Sequence, residues 1–191
     1  DLDAEITVCM VTESYPPEWS EEYLRTKEIE IRESNKILGI TNTISLTFPA
    51  AKLDTIPQRD LNAKISDVVA RIRPDTLYIP HHGDIHTDHR LVHEATLVAA
   101  RPTPGQSIVR ILAYETPSET EWGLVPFWPN VYENISSTLA RKMEALSVYR
   151  TEIREFPHPR SAIVLEALAK KRGSEAGVKA AEAFMLVRSI S

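Results

Sequence analysis

Pro80-His81-His82-Gly83-Asp84-Ile85-His86-Thr87-Asp88-His89-Arg90 holds four of the chain's six histidines and two aspartates in eleven residues. The apolar run Leu77-Tyr78-Ile79 leads straight into it. Imidazole and carboxylate are ligand types favoured by zinc and related metals. A strand that ends in such a cluster sets it at the carboxyl edge of a sheet, where open α/β folds keep their chemistry. Beyond the cluster, Val92, Ala95, Thr96 and Ala99 keep one helical face, which predicts a helix from near Thr87. His86 and His89 then sit three apart at its start, share a face and converge on one site. Asp88 between them is placed to orient a ring nitrogen, and Asp84 reaches the same rim from the loop. A solvated histidine-rich loop is the plain alternative. The density of the cluster at a strand-to-helix junction argues against it.

Outward from this stretch, strands and helices alternate. Residues 5–12 read as a buried strand containing Cys9. Ser20 opens a helix with Leu24, Ile31 and Leu38 on one face, and Gly39 closes it. Residues 44–48 alternate as a second strand. Asp60 is the expected N-cap of a helix bearing Ile65, Val68, Val69 and Ile72, broken by Arg73-Pro74-Asp75. Residues 76–79 and 108–115 are the third and fourth strands. The Pro- and Trp-rich segment 117–134 is expected to be loop with a short strand. Helices return near 136–149 and 161–172, and periodicity leaves 180–188 open between strand and helix. The pattern predicts an α/β fold, a mostly parallel sheet with helices on both faces, as a single domain over residues 1–191.

Composition excludes several classes. The formal charge is −5, and no basic run marks a nucleic-acid footprint. No apolar run approaches a membrane span. The one cysteine cannot form an intramolecular disulfide, which fits a reducing setting. A cytoplasmic protein without signal peptide is the expectation.

Asp84-Ile85-His86-Thr87-Asp88-His89 after Tyr78-Ile79-Pro80 resembles the second metal motif, His-x-Asp-His, of the zinc-dependent PIG-L/LmbE-like deacetylases. The resemblance runs nearly the whole chain: Lys27-x-x-Glu30 with Leu38-Gly39, Tyr114–Trp122, Phe127-Trp128-Pro129-Asn130, Tyr149-x-x-Glu152, Pro157–Ser161 and Ala181–Phe184. It implies a Rossmann-like fold and a Zn2+ cofactor. His89 would be a zinc ligand, and His86 the group that stabilises the oxyanion and protonates the leaving amine. Asp88 would orient a histidine, while Asp84, Lys27 and Arg160 would bind substrate. The implied substrate is an N-acetylated amino sugar or glycoconjugate of the N-acetylglucosamine type. Two departures stand out. Lys27 takes the place of the family's usual arginine, which differs in bidentate contacts. The family's first motif, His-Pro-Asp-Asp-Glu, does not occur here, so further ligands, the first strand and the metal loop are expected upstream of Asp1, and the 191 residues alone are expected to be inactive.

Trp122, Phe127 and Trp128 have two readings, filling core and interface, which is slightly favoured, or offering a flat face to a sugar ring. Two other functions compete. A metallo-β-lactamase-like hydrolase carries His-x-His-x-Asp-His, but this chain has Asp84 at the first position. A catalytically dead binding domain of the same fold would also lack the first motif.

Overall fold

The computed structural model describes residues 4–191. They pack as two compact units. One comprises the chain up to Ala50 together with Asn134–Ala181; the other comprises Ala51–Glu133 with Glu182–Ser191.

In the first unit, β1 (Thr7–Glu13) and β2 (Asn42–Pro49) form a parallel pair, from Thr7 opposite Asn42 to Glu13 opposite Pro49, with a register shift between Met10 and Thr12. Helix α1 (Glu21–Leu38) joins them. Its start follows from Ser20, whose hydroxyl accepts from the Tyr23 N–H at 3.1 Å, and from Glu21 and Glu22 in the first turn. Its end follows from Gly39 at φ 75°, with the Ile40 N–H on the Asn35 carbonyl at 2.8 Å. Helices α4 (Leu139–Ser147) and α5 (Ala162–Ala176) complete this unit. Cys9, expected to be buried, is half-buried in β1.

The second unit holds a four-stranded sheet in the order β3-β4-β6-β5, from β3 (Thr76–Pro80), β4 (Arg110–Tyr114), β5 (Val131–Asn134) and β6 (Ala181–Ser189). β3 and β4 run parallel. β6 resolves the open segment as a strand and returns antiparallel to β4. Helix α2 (Gln58–Ile72) begins after Pro57, so Asp60 lies in its first turn rather than at its cap. Proline's fixed φ suits a helix start, and a carboxylate in the first turn still meets the positive end of the helix. Helix α3 (Thr87–Ala99) follows β3 directly. Val69, Ile79, Ala100, Ile108, Ile111 and Ala113 form the core, with Leu77, Leu97, Ala99 and Met185 packed against it. β3 is thereby anchored, and its carboxyl end delivers the histidine loop to the start of α3. Among the described residues no helix is long and apolar enough to cross a membrane.

Candidate active site

The site is built on the turn between β3 and α3. His86 is the N-cap of α3: its Nδ1 accepts the Asp88 N–H at 3.2 Å. A ring nitrogen that accepts carries a lone pair, so the proton of neutral His86 sits on Nε2. His89 is arranged the other way. Its Nδ1 lies 2.8 Å from Oδ2 of Asp84, a carboxylate that can only accept when ionised. In neutral His89 the proton therefore sits on Nδ1, and Nε2 is bare. The two rings stack, with centroids 4.7 Å apart and planes 13° from parallel. Two neighbouring imidazoles thus offer opposite chemistry at Nε2: a donor on His86 and a lone pair on His89.

Asp84 is 1% exposed. Oδ2 takes His89, and Oδ1 accepts the Thr120 hydroxyl at 2.5 Å. Both oxygens are engaged, so the expected contact with substrate finds no open face. Asp84 instead holds the ring that Asp88 was expected to hold. Asp88, 5% exposed, spends its carboxylate on backbone: Oδ2 accepts the Ala51 N–H at 2.7 Å and Oδ1 the Leu53 N–H at 3.1 Å. It fastens the single 3-10 turn Leu53–Thr55 to the start of α3. Arg90 braces the loop by donating to the carbonyls of Asp84 at 2.9 Å and Ile85 at 2.8 Å.

His81 and His93 are buried packing groups of this unit. His81 is fully buried, and its Nε2 donates to the Val125 carbonyl at 3.3 Å. His93 donates from Nδ1 to the Pro80 carbonyl at 2.8 Å. Burial pushes both below the ordinary histidine range. His82 is exposed, with its ring edge-on to His81 at 4.4 Å.

A second loop, 116–128, closes over the motif. Besides the Thr120–Asp84 bond, the Ile85 N–H reaches the Glu119 carbonyl at 3.3 Å. The approach is close enough to require glycine: a Cβ on Gly123 would lie 2.0 Å from the Gly83 carbonyl oxygen. Gly123→Ala is expected to cost about 1–3 kcal/mol, as overpacking does. The urea midpoint would fall, with the histidine ring resonances displaced. An unchanged midpoint would show that the two loops are not in contact. The resemblance includes Glu119 and Thr120 without giving them a role, and Gly123 was missed because nothing local marks its close approach to Gly83. Trp122 and Trp128, expected in the core, are 55% and 73% exposed on this loop.

Lys27 and Arg160 belong to the first unit, where both pair with Glu152. Tyr23 donates to the same carboxylate at 3.3 Å. Glu30, three residues after Lys27 and 3% exposed, accepts the Thr151 N–H at 3.0 Å and the Thr151 hydroxyl at 2.5 Å. Each cation is therefore held by a carboxylate of its own unit. Burial alone would raise Glu152, but the Lys27 hydrogen bond and the charges of Lys27 and Arg160 override it and hold the carboxyl below the usual range. A depressed acid stabilises the folded state above its unfolded pKa of about 4.3, and that contribution is lost as pH falls through the lower folded value. Acid unfolding monitored by fluorescence should therefore shift toward higher pH in Glu152→Gln. Superimposable acid limbs would show that the cluster adds nothing.

Comparison with known proteins places this geometry. Residues 3–100, just over half of the chain, match the family model described as PIG-L: GlcNAc-PI de-N-acetylase. The uncharacterized deacetylase YaiS of Escherichia coli (strain K12) is 31% identical over 128 residues, 64% of this chain and 64% of that protein. The chain thus matches somewhat under two thirds of that relative's length. Among solved structures, the conserved protein TT1542 from Thermus thermophilus superposes with a TM-score of 0.75 at 23% identity, covering 97% of this chain and 83% of that one. The N,N'-diacetylchitobiose deacetylase from Pyrococcus horikoshii gives 0.75 at 18% identity, with 96% and 73% covered. GalB, the 4-carboxy-2-hydroxymuconate hydratase from Pseudomonas putida KT2440, gives 0.72 at 18% identity, with 96% and 85% covered. The structural likenesses establish the mixed α/β fold. The family match covers the stretch from β1 through α3, histidine pair included, and on that ground the chain belongs to the PIG-L family.

Proposed function

We propose that this protein is a zinc-dependent hydrolase that removes the N-acetyl group from an N-acetylglucosamine-type sugar or glycoconjugate, acting in the cytoplasm. One observation carries the reading: the stacked pair in which His86 presents an Nε2–H and His89 a bare Nε2. Family membership and the diacetylchitobiose deacetylase among the structural neighbours support the sugar class. The fold alone does not choose it, since a hydratase shares the fold.

His89 suits a zinc ion, because a ligating imidazole gives one nitrogen to the metal and its other N–H to a carboxylate. Among the described residues no group of three or more His, Cys, Asp or Glu is arranged to hold a metal ion. When bound, zinc lowers the pKa of its water to about 7 and polarises the amide carbonyl. The chain's own residues do the rest. Asp84 keeps the His89 proton on Nδ1. His86 directs its Nε2–H at the carbonyl oxygen as negative charge grows there. The oxygen of the attacking water bonds to the carbonyl carbon as the carbon–nitrogen bond breaks, and the proton this water gives up would reach the departing amine by way of His86 in its imidazolium form, leaving acetate, the free amino sugar and neutral His86. The Asp88 N–H on Nδ1 holds the imidazole in this orientation.

A panel of N-acetylhexosamine compounds, assayed for free amine with zinc present, tests the reading on the complete gene product. Amine release from at least one acetylated sugar is expected. Activity confined to acetyl-lysine peptides or lactams would overturn the substrate class, and hydration of a carbon–carbon double bond without amide cleavage would overturn the reaction. The 191 residues alone are expected to lose zinc on dialysis, because one imidazole does not replace a three-ligand site. Stoichiometric retention would instead place the whole ligand set within these residues.

A further inference from the structure

We infer that Thr120 is a positioning residue for His89, and that through it the loop 116–128 sets the ring that the proposed hydrolase chemistry uses. This rests on that reading for its purpose but not for its test. Thr120 is 7% exposed and lies thirty-six residues from Asp84 in sequence. Its hydroxyl has one proton and can give it to one acceptor. The Thr116 N–H points at the Thr120 oxygen at 2.7 Å, which occupies a lone pair and turns the hydroxyl proton toward Oδ1 of Asp84 at 2.5 Å. With Oδ1 held, Oδ2 is left to accept from His89 at 2.8 Å. The donations therefore converge on the carboxylate, backbone amide to hydroxyl to Oδ1 from one side and the His89 Nδ1–H to Oδ2 from the other. With Oδ1 held by Thr120, the carboxylate keeps Oδ2 turned to the His89 Nδ1–H, which in the neutral ring leaves Nε2 bare.

The loop is held in the shape this requires. Glu121 accepts the N–H groups of Ser118 at 2.8 Å and Glu119 at 3.1 Å, and Ser118 takes a left-handed φ of 74°. The Glu119 and Thr120 N–H groups both close on the Thr116 carbonyl, at 3.0 and 2.9 Å. A non-glycine residue in the left-handed region persists where surrounding bonds over-determine it, as they do here. The same loop exposes Trp122, Leu124 and Trp128, so a molecule resting on those side chains acts on the segment that fixes Asp84.

Nitrogen-15 spectra of the histidine rings in the metal-free complete protein decide the matter. Wild type should show His89 as a single Nδ1–H tautomer. Thr120→Val, which keeps the shape and removes the hydroxyl, should show a mixture of tautomers at His89. Thr120→Ser should restore the single form. His93, held by the Pro80 carbonyl, reports in the same spectra that the fold is intact. If the valine variant disturbs His93 as well, Thr120→Ala replaces it in the comparison with serine. Chelator competition should show zinc affinity weakened by about 10-fold in the variant lacking the hydroxyl, the lower end of what loss of a metal ligand's partner costs, and recovered in Thr120→Ser. An unchanged His89 tautomer and affinity without the hydroxyl, or no recovery with serine, would overturn the role. Failure of the sugar panel would remove the proposed hydrolase and leave the tautomer result standing, so the two can fail separately.

Discussion

Replacing His86 with alanine is expected to lower amide hydrolysis by about 10²–10⁴-fold, the usual contribution of a positioned acid, while zinc content stays at the wild-type level. His89→Ala should do the reverse in one respect, losing zinc and turnover together. The contrast comes from hydrogen bonds on the page. His86 already has its Nδ1 on the Asp88 N–H and presents a proton, whereas His89 has its proton on Asp84 and presents a lone pair. The two rings are stacked neighbours on one turn. Metal analysis beside steady-state kinetics separates them. Equal zinc loss in both variants would show that the division of labour is wrong.

The second large effect is on stability. Asp88→Ala should destabilise the 51–133/182–191 unit by about 1–3 kcal/mol, because the buried Leu53 amide loses its acceptor at a cost of about 1–3 kcal/mol, while the Ala51 amide, on an exposed residue, can turn to water. The carboxylate also sits in the first turn of α3, where negative charge is favoured. Asp88→Asn retains one oxygen and should fall between wild type and alanine. Urea titrations at neutral pH give the ranking. Full stability in the alanine variant would mean that the Leu53 amide finds another acceptor.

The alternation of elements was readable because apolar periodicity distinguishes strand from helix over most of the chain, and Ser20, Gly39 and the Pro74 break fall where the structure ends its helices. The spacing of His86 and His89 was readable for the same reason, since three residues on a helix share a face. The roles of the two aspartates were not. Both lie within the same eleven residues, and which carboxylate meets a ring depends on distant partners: Thr120 for Asp84, and the Ala51 and Leu53 amides for Asp88. The pairing of Lys27 and Arg160 on Glu152 depends likewise on chain folding across more than a hundred residues. The exposure of Trp122 and Trp128 escaped a reading that treats aromatics as core, because their loop has no periodicity from which to read a buried face.

The close approach of Gly123 to the Gly83 carbonyl bears on how this protein can diverge. Leu124 follows that glycine and is fully exposed, so drift there meets little resistance from the fold. Gly123 itself admits no side chain without displacing backbone. A saturation library across 116–128 should therefore be open at 124 and closed at 123. Selection can reshape what the loop touches while the loop itself stays where it is. New preferences would then arise on this rim without retuning the histidine pair beneath it.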